Sequence, residues 1–198
     1  MPKGKPDAKY VQFTEELNAL DYLERAYKAI GSLRRDRRGW KWVVLSLHGA
    51  LYGFAICAVK GTDRSRVTLP RTKRLIAFDD ALKRSQSIEW TRQFTYSRPV
   101  ELTDDQKDAV RRLKHVRNRF EHYLPLDWSV EEHGLTVSAI DALDVIRALA
   151  LDTGNVRLNK AQKETVEACV RKGKEILRSS QLYKDHVAAL KRQRAKPS

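Results

Sequence analysis

The sequence predicts an all-α fold, a helical bundle of about five or six helices. Three observations carry this. Apolar residues recur at helical spacing along most of the chain. Only 9 glycines and 6 prolines interrupt 198 residues, a composition that long helices tolerate better than turn-rich sheets. Helix start and stop signals bracket the apolar stretches. Hydrophobic residues make up 41% of the chain, enough for a real core, and the length suits one domain spanning 1–198.

The elements follow in order. A basic arm (Lys3, Lys5, Lys9) precedes a helix from Thr14, an N-cap residue type, to Gly31, a stop. Leu17, Leu20, Leu23, Tyr27 and Ile30 form its expected buried stripe. After the turn "LRRDRRG" comes a second helix over Trp40–Lys60, where Gly49 and Gly53 would let another helix approach closely. "GTDRSRVTLPRTKR" reads as a loop because of Gly61 and Pro70. "LIAFDDALKRSQS" is a short helix with Leu75, Phe78 and Leu82 on one side, and the chain then loosens to Pro99. "TDDQ" at Thr103–Gln106 fits a capping box, with Asp104 and Asp105 at the positive end of the helix dipole. Pro125 disfavours helical geometry at Leu124, so this helix should end close to His122. A loop through Asp127, Trp128 and Gly134 leads to a helix over 137–154 that closes at Gly154. Asn159 is placed to cap the next helix, which carries Val166, Val170 and Ile176. "LYKDHVAALKRQRAKPS" reads as a helical extension that ends in a basic tail.

Charge is the strongest global property. Lys and Arg total 39 against 25 acids, a formal net charge of +14, which favours polyanionic partners through counterion release. The 2 cysteines, Cys57 and Cys169, are expected as buried free thiols, and no cluster has the spacing of a zinc site. No cofactor is implied. "MPKGKPDAKY" lacks an apolar leader region, and a cytoplasmic protein is expected. The apolar run Val43–Val59 is at the short edge of a membrane span, and a buried central helix accounts for it better. No phosphate-cradling glycine loop and no convincing acid pair is present, so kinase, nucleotidyltransferase and P-loop chemistry find no support.

The most chemically loaded stretch is "HVRNRFEHYLP". On an ideal helix Ala109, Leu113, Val116, Phe120 and Leu124 fall together and should face the core. Arg111, His115, Asn118 and His122 form one polar stripe on the opposite side. Arg117 stands apart from that stripe, roughly 140° round from His122. A neutral histidine can take a proton from a ribose 2′-hydroxyl or give one to a leaving oxygen. A guanidinium suits charge building on phosphoryl oxygens, and Asn118 could orient His122 or hold a phosphate oxygen. The same residues also fit a solvated basic helix face, and both readings stand on the residues alone.

"RNRFEH", Arg117 to His122, resembles the R-N-x-x-x-H motif of the HEPN superfamily, the higher-eukaryote and prokaryote nucleotide-binding domains. The resemblance covers roughly residues 13–178, taken as the core between basic tails, and "FEHYLPLDWSVE" is similar to a bacterial subgroup of HEPN-like proteins. It implies a helical bundle that pairs as a homodimer, with the motifs of two protomers meeting in an interface cleft. It further implies a metal-independent endoribonuclease, used as a toxin, in defence or in RNA processing. Arg117 and His122 would then be catalytic, with Asn118 as their polar helper. The implied partners are RNA, a second copy, and a cognate antitoxin or regulator. Other members keep the fold and only bind nucleic acid or protein, so a non-catalytic HEPN-like module is the alternative.

Arg111 and His115 are candidate RNA contacts by helix geometry. Arg64, Arg66, Arg71, Lys73 and Arg74 are a candidate track for an RNA backbone, or a solvated loop. His48 is expected as a buried histidine hydrogen-bonded within the core. Trp40, Trp42, Trp90 and Trp128 are expected to pack in cores or interfaces rather than stack on bases.

Overall fold

The computed structural model describes residues 10–93, 97–122 and 127–194, and every regular element among them is helical. In chain order the α-helices are α1 (Glu15–Ser32), α2 (Trp40–Lys60), α3 (Phe78–Ser85), α4 (Ile88–Thr91), α5 (Asp104–Glu121), α6 (Glu132–Arg147), α7 (Lys160–Ser179) and α8 (Gln181–Arg194), with short 3-10 turns at Arg37–Gly39 and, inside the stretch expected as a loop, at Arg64–Val67. The basic arm at 1–9 and Leu124 and Pro125 lie outside the described residues.

The capping chemistry is where the sequence placed it. Thr14 accepts a hydrogen bond from the Leu17 N–H at the start of α1. Thr103 and Gln106 form a reciprocal capping box on α5, and Asn159 and Gln162 form another on α7. Each box satisfies two of the N–H groups that a helix start otherwise leaves unpaired.

Eight α-helices among the described residues exceed the five or six expected. The stretch after Phe78 folds as two short helices, and the last helical run divides at Ser180, whose extended backbone (ψ 149°) separates α8 from α7. Gly134, expected in a loop, lies in the first turn of α6 instead. The Glu131 carboxylate accepts from the Gly134 N–H at 2.8 Å and so starts the helix early. A Cβ at Gly134 would meet the Arg112 guanidinium, which crosses the helix start to pair with Glu131 at 2.6 Å. After α6 the chain makes one π-helical turn, Ala148–Asp152, and leaves it through Gly154 at φ 77°.

α2 is the centre of the bundle: α1, α3, α5 and α6 all pack on it. It is long and apolar enough to cross a membrane, yet it is mostly buried inside the protein. The buried side chains form one continuous cluster, with Leu23, Leu47, Leu51, Phe54, Leu113 and Leu143 fully enclosed. Leu17 departs from the expected stripe and is 41% exposed. The face that α1 buries is centred on Ala19, Leu23, Ala26 and Ile30, and Leu17 lies roughly 140° from its middle. Leu75 departs likewise. It pairs with Thr68 in an isolated antiparallel bridge ahead of α3, and the alternation of extended chain turns Ile76 inward and Leu75 out.

Gly49 and Gly53 do set a close helix approach. A Cβ at Gly53 would lie 2.6 Å from the Ala19 Cβ, and one at Gly49 would lie 2.5 Å from the Tyr22 ring. Ala19 is rigid and fully buried, whereas Tyr22 is 38% exposed and its ring can swing away. Gly53→Ala should therefore destabilise the protein by about 1–2 kcal/mol, overpacking outweighing a helix-propensity gain of about 1 kcal/mol. Gly49→Ala should cost less, and urea unfolding of both variants beside the parent checks the order.

Candidate functional site

α5 buries Ala109, Val110, Leu113 and Val116, which leaves three different polar flanks. One flank faces α6 and the loop before it. There Arg112 pairs with Glu131, and the Arg119 guanidinium lies 4.7 Å from the centre of the Trp128 ring, which also packs on Phe120 at 4.8 Å. A second flank faces α2 and α3, with Lys114 paired to Asp79 and Arg117 on the side of α1 and α2. The third points to solvent and carries Arg111, His115 and His122, all exposed.

The motif residues are thus divided. Arg117 Nη1 donates to Asn118 Oδ1 at 3.0 Å, and Arg117 Nη2 pairs with Glu121 at 2.8 Å. Of the two roles open to Asn118, orienting His122 or holding a phosphate oxygen, the side-chain oxygen here takes neither and accepts from Arg117. Its link to His122 is through the backbone, the His122 N–H donating to the Asn118 carbonyl at 2.9 Å. His122 is the C-cap of α5 with extended backbone (φ −95°, ψ 93°), so the helix ends where Pro125 predicts. Arg111 pairs with Asp108 on the surface, and His115 is exposed one turn before Asn118.

Arg117 and Glu121 form one wall of a cleft of about 650 Å³. α1 contributes Asp21, Tyr22 and Arg25, α2 contributes Trp42, His48 and Tyr52, and Leu75 closes one side. The Tyr52 hydroxyl donates to the Ile76 carbonyl at 2.5 Å, which holds the segment with Leu75 against α2. Gly49 and Gly53 are also in the lining, under the Tyr22 ring and Ala19. The acids in the cleft are paired: Asp21 with Arg25 at 2.6 Å, Glu15 with Lys60 at 3.0 Å, and Glu121 with Arg117.

His48 was not among the expected site residues, and it sits in this cleft. It is 6% exposed, as a core histidine would be. It packs on Phe78 with ring centres 4.8 Å apart, but among the described residues it makes no hydrogen bond, contrary to expectation. Burial, and then the nearby Arg117 and Lys114 charges, push its pKa down to about 4, so the ring is neutral at pH 7. The hint in the sequence was a polar residue one turn before Tyr52 in an otherwise apolar helix.

The basic loop is placed beside the cleft rather than in it. Arg64, Arg71, Lys73 and Arg74 are exposed. Arg66 instead lies over Trp90, at 5.4 Å, and hydrogen-bonds Gln93. Arg84 covers the other Trp90 contact at 4.4 Å. Among the tryptophans, Trp40 is buried and Trp90 and Trp128 are half-buried, as expected of packing residues. Trp42 is not: it is 59% exposed at the mouth of the cleft, beside Lys41. Cys57 and Cys169 are buried free thiols, and burial raises Cys57 to about 12.

The chain matches no family model, no curated protein and no solved structure.

The low pKa of His48 has a consequence for stability. The unfolded chain takes up this proton near the ordinary 6.5 and the folded chain only near 4, so stability falls as pH drops from about 6.5 to 4 and levels off below. The loss from this one group is at most on the order of 3 kcal/mol. His48→Gln should flatten the parent's decline between pH 6.5 and 5, measured by urea unfolding, and equal slopes would show that His48 is not held neutral by the fold.

Proposed function

We propose that the chain is a metal-independent endoribonuclease of HEPN type, acting as a homodimer whose site lies at the interface. The observation that carries this reading is the Arg117–Asn118 hydrogen bond at the end of α5, with His122 exposed one turn on. Within one chain Arg117 turns to the cleft and His122 to solvent. A second copy brings a His122 toward the first copy's Arg117, which is the geometric need a twofold axis meets. In that site His122 acts as general base or acid, Arg117 stabilises the phosphorane-like state, and Asn118 orients the guanidinium. The net charge of +14 suits an RNA substrate. A cytoplasmic toxin or defence role, held by a cognate antitoxin or regulator, fits such an activity.

One observation favours a second reading, a non-catalytic HEPN-like module that binds nucleic acid or protein. Glu121 already occupies Arg117 inside the cleft. The magnitude decides against it as the first choice. An i,i+4 pair with both side chains about one-third exposed stabilises by about 0.3–0.5 kcal/mol, which a phosphate group facing the guanidinium readily displaces.

RNA cleavage in the presence of EDTA, with product ends mapped, tests the proposal. The parent should leave 2′,3′-cyclic phosphates, and His122→Ala should lower the rate by about 10²–10⁴-fold while the circular dichroism stays that of the parent. Glu121→Gln should raise the rate a few-fold by freeing Arg117. Equal cleavage by parent and His122→Ala would sink the assignment, and salt-sensitive RNA binding without product would move it to the binding module.

A further inference from the structure

We propose that His48 is a substrate-contacting residue of the cleft, and that with Arg117 it holds one phosphodiester group of a bound RNA strand. The inference rests on the RNA reading above, but not on catalysis.

The argument starts from what a core position normally demands. A histidine enclosed among apolar side chains carries one N–H donor and one lone-pair acceptor, and buried polar groups of this kind find partners. His48 is 6% exposed and has no protein partner among the described residues, and its ring nitrogens are not sealed off, so they are open to the cleft. Its ring is instead part of the wall of a cleft that also holds Arg117. A polar group left unpaired at a cleft wall, next to a guanidinium, is complementary to an oxyanion. The imidazole N–H donates one hydrogen bond, and the guanidinium supplies the charge and further donors. The volume of about 650 Å³ is that of a small-ligand site, large enough for a nucleotide. Trp42, exposed at the mouth, and Tyr22 in the lining offer aromatic surface for a base.

The charges around His48 make the site sensitive to pH. α5 presents Arg117, Lys114 and Glu121, α3 presents Asp79, and α1 presents Asp21 and Arg25 across the cleft. Asp79 alone favours a charged imidazole, and burial together with Arg117 and Lys114 outweighs it, while Asp21 is paired to Arg25 and Glu121 to Arg117. A bound phosphodiester, which stays anionic throughout this range, would favour the charged imidazole too. Binding of the strand and protonation of His48 therefore favour each other.

The experiment uses the full chain and a short 2′-O-methyl oligoribonucleotide, which lacks the attacking hydroxyl and stays intact whether or not the protein is a nuclease. Binding is measured at pH 7.5 and 5.5 at one ionic strength. The parent should bind about ten-fold tighter at pH 5.5, the ratio obtained if the strand returns His48 to its ordinary pKa of 6.5. His48→Gln should bind more weakly than the parent at both pH values and lose most of that ratio. Because this variant alters a buried residue, the His48 C2–H resonance of the parent is also titrated with and without the oligonucleotide, and its midpoint should rise on binding. The inference is overturned if His48→Gln keeps the parent's affinity and ratio, if the resonance midpoint does not move, or if the parent does not bind the strand. A parent that binds in this pH-dependent way yet never cuts unmodified RNA would refute the nuclease reading and leave the His48 site standing.

Discussion

The close contact of α1 with α2 is the constraint on which the site depends. Gly53 lets the α1 backbone come down onto α2 until Ala19 fills the space a side chain would take, and Tyr22 lies across Gly49 in the same way. The helix pair buries a dense layer in which Leu23, Leu47, Leu51 and Phe54 are fully enclosed. Beside this contact, the end of α5 and the segment at Leu75 stand off from α1 and enclose a cleft against α2. Lys60 reinforces the arrangement by reaching Glu15 at 3.0 Å and Glu16 at 3.6 Å, cation at a helix C-terminus meeting acids at a helix N-terminus.

Within that frame α5 is used on every side. Its apolar stripe anchors it to α2 and α6. Its flanks are then clamped by Arg112 to Glu131 and by Lys114 to Asp79, so its rotation about its own axis is well determined. This rotation is what sends Arg117 into the cleft and His122 outward. A guanidinium that is only one-third exposed is pre-organised by Asn118 and already partly stripped of water, the condition under which it interacts most strongly with an anion. The exposed side of α5, with Arg111, His115 and His122, keeps the looser, solvated character that a surface in contact with a partner or strand can use.

Much of this was legible in the residues. The caps at Thr14, Thr103 and Asn159 act within four residues of themselves, so sequence reading located the helix starts closely. The buried residues Ala109, Leu113 and Val116 followed from periodicity, and the burial of α2 followed from its nearly uniform apolar content. The errors have one origin. Leu17 falls in an apolar stripe and Leu75 on one side with Phe78 and Leu82 by period alone, but burial is set by which neighbour is present, and both lie on sides that no described element covers. Gly134 was read as a loop residue because the capping Glu131 owes its position to Arg112 on another helix.

The sequence by itself determined the class of fold, the capped helix starts at Thr14, Thr103 and Asn159, the end of α5 at His122, the separation of Arg117 from the polar stripe of α5, and the excess of positive charge. These depend on local geometry and composition, which no distant contact alters. Only the tertiary structure decided which elements face Arg117. That His48 shares its cleft, that Asn118 serves the guanidinium rather than the histidine, and that Trp42 alone of the four tryptophans stands exposed all depend on how far α1 and α5 sit from α2. Those distances come from the absence of two side chains at Gly49 and Gly53 and from ion pairs between helices, relations among residues far apart in the chain that no helical period encodes.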